Sequence, residues 1–121
     1  MCAKGTQKIL VVDDDADIRE VLSEVLIESG HDVMTASNGL EALQILREGW
    51  APCMVLLDLM MPVMDGYLFL EHARNDPALA SIPVTVVTAG RQVDQERLVG
   101  ATVVAKPIRL PALMSLIEKN C

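Results

Sequence analysis

Four short apolar runs in the chain each end on a polar residue. Ile9 to Val12 leads into Asp13 and Asp14, Met54 to Leu57 into Asp58, Val84 to Val87 into Thr88, and Thr102 to Ala105 into Lys106. Segments of helical period lie between the runs, and such alternation restricts the fold. Parallel strands need crossover connections, and right-handed crossovers place helices on both faces of the sheet. The polar residues would then meet at one edge. In open α/β sheets ligands bind outside the carboxyl ends of the strands, so that edge is where chemistry is expected.

From Asp15 to Gly30 the residues Ile18, Val21, Leu22, Val25 and Leu26 recur at i, i+3, i+4, i+7 and i+8, which predicts a helix stopped by Gly30, with Asp15 as its cap. A short strand over His31 to Ala36 follows. Asn38 is then an N-cap for a helix to about Glu48 with Leu40, Leu43 and Leu46 inward. After Asp58 comes Leu59-Met60-Met61-Pro62-Val63-Met64-Asp65-Gly66, kept irregular by Pro62 and Gly66. Apolar loops usually cover something. Tyr67 to about Arg74 reads as a helix ended by Asn75-Asp76-Pro77, and Gly90 to Val99 as a short polar helix at best. Leu110, Leu113, Leu116 and Ile117 make a C-terminal amphipathic helix. The order is (βα)5: an α/β fold with a doubly wound, five-stranded parallel sheet.

A chain of 121 residues fits a single domain (1–121, core about 8–119), large enough to bury roughly two-thirds of its unfolded surface. Its residues are 51% hydrophobic with one Trp, one Tyr and one Phe, so the core is aliphatic and methionine-rich and offers no stacking platform for bases. A formal net charge of -7 argues against direct nucleic-acid binding, which needs clustered Lys and Arg. Cys2, Cys53 and Cys121 lack CxxC or Cys/His metal spacing, so a reduced intracellular protein is expected. No apolar run reaches the ~18 residues of a membrane span, and a cytoplasmic location without membrane insertion follows as the expectation.

Asp13 and Asp14 stand where a strand becomes a helix, and Asp58 is expected from a neighbouring strand end. Clustered carboxylates repel one another unless they bind a hard cation or shift a pKa. Mg2+ suits them, since it takes one or two carboxylates plus water and phosphate oxygens. Lys106 adds a mobile cation and Thr88 a hydroxyl donor. The set resembles equipment for phosphoryl transfer to a carboxylate, with Asp58 as nucleophile. Asp15 and Asp17 read as the acidic start of a helix. The EF-hand spacing of Asp13, Asp15, Asp17 and Glu24 fails because Ile18 stands where that loop needs glycine. Met60, Met61 and Met64 read as loop cover, and His31 and His72 lie away from the motifs.

In these residues the chain resembles the receiver domain of two-component response regulators. Val11-Val12-Asp13-Asp14 matches the acidic pair, Leu57-Asp58 through Asp65-Gly66 the phosphoacceptor loop, Val87-Thr88-Ala89 the switch hydroxyl and Val104-Ala105-Lys106-Pro107 the lysine motif. The resemblance implies a flavodoxin-like, CheY-like three-layer sandwich. It implies that Asp58 takes phosphate from a histidine kinase or phosphotransfer protein, with Mg2+ on Asp13, Asp14, Asp58 and the backbone carbonyl of Met60. Also implied are a cis Lys106-Pro107 peptide, a downstream protein partner or fused domain, and positions flanking the phosphoryl group at Met60 and Gly90. A signalling phosphoacceptor is expected rather than an enzyme with turnover.

Two departures stand out. Where receivers commonly carry a switching aromatic residue, this chain has Val103, and Thr88 to Lys106 is only 18 residues, leaving the fourth helix about one turn, or ~5 Å, shorter than usual in the family. Both fall on the surface of the fourth helix, fifth strand and fifth helix, the family's usual output and dimer face. An atypical output is therefore expected. The rivals are a receiver-like module that binds partners without phosphorylation and a small phosphatase of the haloacid-dehalogenase type, suggested by Asp13 and Asp15 as a DxD pair.

Overall fold

Short runs of Val, Ile, Leu and Met pair as parallel strands, and the intervening helical periods become the crossovers. The computed structural model describes residues 7–89 and 93–120. In chain order the elements are β1 (Lys8–Val12), α1 (Ala16–Glu28), β2 (Asp32–Ala36), α2 (Gly39–Arg47), β3 (Met54–Leu57), α3 (Gly66–Arg74), β4 (Val84–Thr88), β5 (Thr102–Ala105) and α4 (Leu110–Asn120). The five strands are all parallel and lie in the order β2-β1-β3-β4-β5. From β1 the chain passes to β2 on one side and reaches β3 on the other, so the topological switch point lies at the ends of β1 and β3.

Because strand side chains alternate, each strand feeds two cores. Leu10, Val12, Val55, Leu57 and Val86 face α2 and α3, meeting Leu43, Leu46, Phe69 and Leu70. Ile9, Val11, Met54, Leu56 and Val87 face the other way, toward Leu26 of α1 and Leu113 and Ile117 of α4. Each such side chain, fully buried, contributes about 1.5–3 kcal/mol relative to exposure. The central strands are consequently apolar on both faces.

The predicted caps are in place: Asp15 accepts from the backbone N–H groups of Asp17 and Ile18, and Asn38 from that of Glu41. Asp65 caps α3 in the same way through Leu68, a role its turn-like sequence concealed. Leu40 departs from expectation and is exposed. The inward stripe of α2 is Gly39, Ala42, Leu43 and Leu46, so Leu40 sits about 100° round the helix from Gly39. Val21 is exposed as well, and Leu26 is the buried residue of α1.

The polar helix sketched over Gly90 to Val99 does not form among the described residues. Gly90, Arg91 and Gln92 lie outside them, and 95–100 is a series of turns with i to i−3 hydrogen bonds, such as Arg97 N–H to the Asp94 carbonyl. The (βα)5 alternation is thus reduced to four described helices. Polar contacts from α3 anchor the turns. Tyr67 hydroxyl accepts from the Asp94 N–H at 2.9 Å, the Arg97 guanidinium lies 4.5 Å from the Tyr67 ring centre, and Arg74 donates to the carbonyls of Arg97 and Val99. A second correction concerns the cysteines. Cys53 is disulfide-bonded, not a reduced thiol; the sequence's other cysteines, Cys2 and Cys121, lie outside the described residues.

The loop between β3 and α3 is held at both ends. Gly66 N–H donates to the Leu59 carbonyl at 3.0 Å, and Gly39 N–H to the Met64 carbonyl at 3.0 Å. A Cβ at Gly66 would lie 2.7 Å from the Asp58 carbonyl oxygen, so a side chain there would push the backbone that carries Asp58. Between these anchors Val63 adopts φ 69°, a left-handed conformation costly for a β-branched residue, with its side chain exposed. Val63→Gly removes that strain without losing packing. It is expected to stabilise the fold by up to about 1 kcal/mol in urea unfolding, measured as a higher midpoint at unchanged m.

Candidate functional site

Three site residues directly follow a strand and extend its hydrogen-bond ladder by one rung. Asp13 N–H donates to the Ala36 carbonyl at 3.1 Å, Asp58 N–H to the Val12 carbonyl at 3.0 Å, and Lys106 N–H to the Thr88 carbonyl at 3.0 Å. Sheet pairing therefore fixes their backbones. Thr88 is the last residue of β4, buried, and paired in register with Ala105 of β5. The Lys106-Pro107 peptide is cis, as the resemblance implied.

The Lys106 ammonium lies 3.3 Å from Asp13 Oδ2 and 3.5 Å from Asp58 Oδ2. It bridges the two buried carboxylates. The other oxygen of Asp13, Oδ1, accepts from the Asp15 N–H at 2.9 Å, so both of its oxygens are engaged. Oδ1 of Asp58 meets the Met60 N–H at 3.4 Å. Asp14 is exposed beside them. One carboxylate oxygen from each of Asp13, Asp14 and Asp58 lies within 4.8 Å of the others, a cluster assembled from both sides of the switch point.

These oxygens fit a hard divalent cation. All three donors are carboxylates, one of them open to solvent, and no soft ligand intrudes, as a small octahedral ion that retains waters requires. Met61 and Leu59 are buried beneath the loop, whereas the side chain of Met60 is exposed, so the apolar loop covers the core more than the carboxylates. Asp15 is committed to capping α1 and Asp17 lies on its exposed first turn. The DxD reading thereby loses its second acid, and the regular α1 helix removes the EF-hand reading.

Sequence reasoning missed Arg19. From α1 its Nη1 donates to the Asp13 carbonyl at 2.7 Å, holding the turn that carries both acids. The one available signal was a cation on the first turns of a helix that starts with three acids.

Burial pushes the Asp58 carboxyl above its ordinary range, and the negative charge of Asp13 pushes it further; Lys106 and the Met60 N–H only partly oppose them. For Lys106, burial favours the neutral amine, but the charges of Asp58 and Asp13 outweigh it and the pKa is raised. The ammonium form is secured. A carboxyl whose folded pKa is raised binds its proton more tightly in the folded state, so its stabilising contribution is present in acid and lost as pH rises through the folded pKa. Asp58→Asn is therefore expected to melt at a higher temperature than wild type at pH 7, with the gap closing as pH falls below the raised pKa. Calorimetry across that range measures it.

Residues 9–118 match the family model described as the response regulator receiver domain. Among curated proteins, the transcriptional regulatory protein CpxR homolog of Haemophilus influenzae is 45% identical over 93 residues, covering 77% of this chain and 38% of that protein. The DNA-binding dual master transcriptional regulator RpaA of Synechocystis is 37% identical, with 77% and 38% covered. The chain spans about a third of the length of such relatives. The solved structure of chemotaxis protein CheY4 from Vibrio cholerae superposes with a TM-score of 0.84 at 28% identity, over 97% of this chain and all of that one. The receiver domain of a histidine kinase from Syntrophus aciditrophicus gives 0.81 at 30%, with 94% and 89% covered.

Proposed function

Since the chain belongs to the response regulator receiver family of two-component systems, we propose that Asp58 accepts a phosphoryl group from a histidine kinase or phosphotransfer protein. The observation that supports this most is Lys106 bridging Asp13 and Asp58 at the switch point, with Thr88 closing the neighbouring strand. Mg2+, held by Asp13, Asp14, Asp58 and the Met60 carbonyl, would neutralise charge on the phosphoryl oxygens. Ionised Asp58 attacks phosphorus; an O–P bond forms as the P–N bond to the donor imidazole breaks, and that nitrogen takes up a proton. Lys106 then exchanges its contact with Asp58 for a phosphoryl oxygen, keeping its partner Asp13. Thr88 supplies a hydroxyl to another oxygen.

Output follows a different design. Val103 on β5 has no ring to swing between buried and exposed states, and turns stand where a helix would pack. The signal leaves through the turns at 95–100, β5 and α4, toward a separate partner protein or a fused domain of the kind that the relatives' greater length allows. The phosphorylation-independent reading has no observation in its favour, and the cluster of Asp13, Asp14 and Asp58 with Lys106 between two of them supports the acceptor reading.

Incubation with acetyl phosphate or phosphoramidate and Mg2+ is expected to add one phosphoryl group by intact mass. Chelation of Mg2+ or Asp58→Asn should abolish it, and Lys106→Ala should slow it by about 10²-fold. An unmodified wild type refutes the proposal. Met60 stands next but one to Asp58, at a position that the family resemblance sets beside the phosphoryl group, with its side chain at the surface. Met60→Lys should change the dephosphorylation rate several-fold while leaving the final extent of phosphorylation unaltered, as followed by the decay of the phosphorylated mass.

A further inference from the structure

The faces of the sheet are not covered equally at their carboxyl ends. On the side of α1 and α4, Leu26 packs with Leu113 and Ile117 near the end of α1 remote from the acceptor site. Toward that site the cover opens: Ile18 and Leu22 are only half-buried and Val21 is largely exposed. Opposite them stand Pro107 and Ile108. The result is a cavity of about 350 Å³. Its floor is Val11, Leu56 and Val87, its walls are α1 and Ile108, and Asp13, Asp58 and Lys106 line it at the carboxyl ends of the strands.

The volume and lining describe one class of guest. At more than twice the ~150 Å³ that admits benzene, the space takes a ring with a short chain, on the order of ten heavy atoms. Its walls are aliphatic, and small-molecule sites have this character: mostly apolar, with a few convergent polar groups. Of the polar groups lining it, Asp13 and Asp58 are turned to Lys106 and to the Mg2+ proposed above, so Asp17 is the carboxylate that meets a charged guest. Asp17 lies exposed on the first turn of α1, at the solvent side. We infer that this cavity binds a small amphiphile with an apolar ring or chain and a cationic head, the head facing Asp17 and the body inserted between α1 and Ile108. None of α1's cavity-lining side chains has a part in the phosphoryl chemistry proposed above, so this is a second site that shares an inner wall with the first. A guest would hold α1 apart from the segment that follows Lys106.

The test is a titration of the whole chain with 4-phenylbutylamine, 4-phenylbutanol and 4-phenylbutyrate in saturating Mg2+, read from methyl resonances of Ile, Leu and Val. The amine should shift Ile18, Val21, Leu22 and Ile108 saturably with submillimolar Kd, and the carboxylate should bind at least tenfold more weakly. Asp17→Asn should reduce the preference for amine over alcohol. Val21→Trp, at a position exposed enough to tolerate the ring, should close the mouth and remove the shifts while acetyl phosphate still phosphorylates Asp58. Absence of saturable shifts, shifts that Val21→Trp leaves intact, equal affinity for amine and carboxylate, or binding abolished by Mg2+ would each overturn the inference.

Discussion

One ammonium group between two buried carboxylates organises the functional edge. Asp13 and Asp58 come from adjacent strands and repel each other, and burial raises the cost of charging Asp58. Lys106 reaches both from the far edge strand of the sheet, 3.3 and 3.5 Å away. A pair of exposed ions at such distances would contribute little, but here the carboxylates are buried and their backbones are fixed by ladder hydrogen bonds. Removing Lys106 would leave two carboxylates without a counter-charge in a poorly solvated place. The edge thereby holds a carboxyl that is costly to ionise beside a cation shared between two anions.

The rest of the fold serves that geometry unevenly. On the acceptor side everything is fixed: the ladder sets Asp13, Asp58 and Lys106, Arg19 holds the Asp13 carbonyl, and Gly66 allows the loop to close against the Asp58 backbone. On the side of the turns Leu98 enters the core, and Tyr67, Glu71 and Arg74 of α3 add polar contacts to Asp94, Arg97 and Val99. Contacts of that kind lie near the surface and are weaker than a buried apolar seam.

Strand ends, helix periods and caps were legible because they are local. Asp15 and Asn38 announced their helices by type and position, and the four polar residues after apolar runs needed only the parallel-sheet rule to be placed together. What misled were features that depend on an element's neighbours. Leu40 fits the period of α2 but gives the inward place to Gly39, whose lack of a side chain admits Met64. Residues 95–100 include helix-forming types, yet they stand as turns against α3. Cys53 carried no pairing motif and is disulfide-bonded all the same.

The sequence by itself determined the order of the elements, the two-faced apolar strands and the candidate acceptor set, since period and residue type along a chain are enough to state them. Only tertiary structure decided that Lys106 spans Asp13 and Asp58, that Asp58 is hard to ionise, that Arg19 reaches the Asp13 carbonyl, and that α1 stands away from Ile108 over a cavity. Distances between charges, and the solvent excluded around them, are set by residues far apart in the chain; no local pattern encodes them.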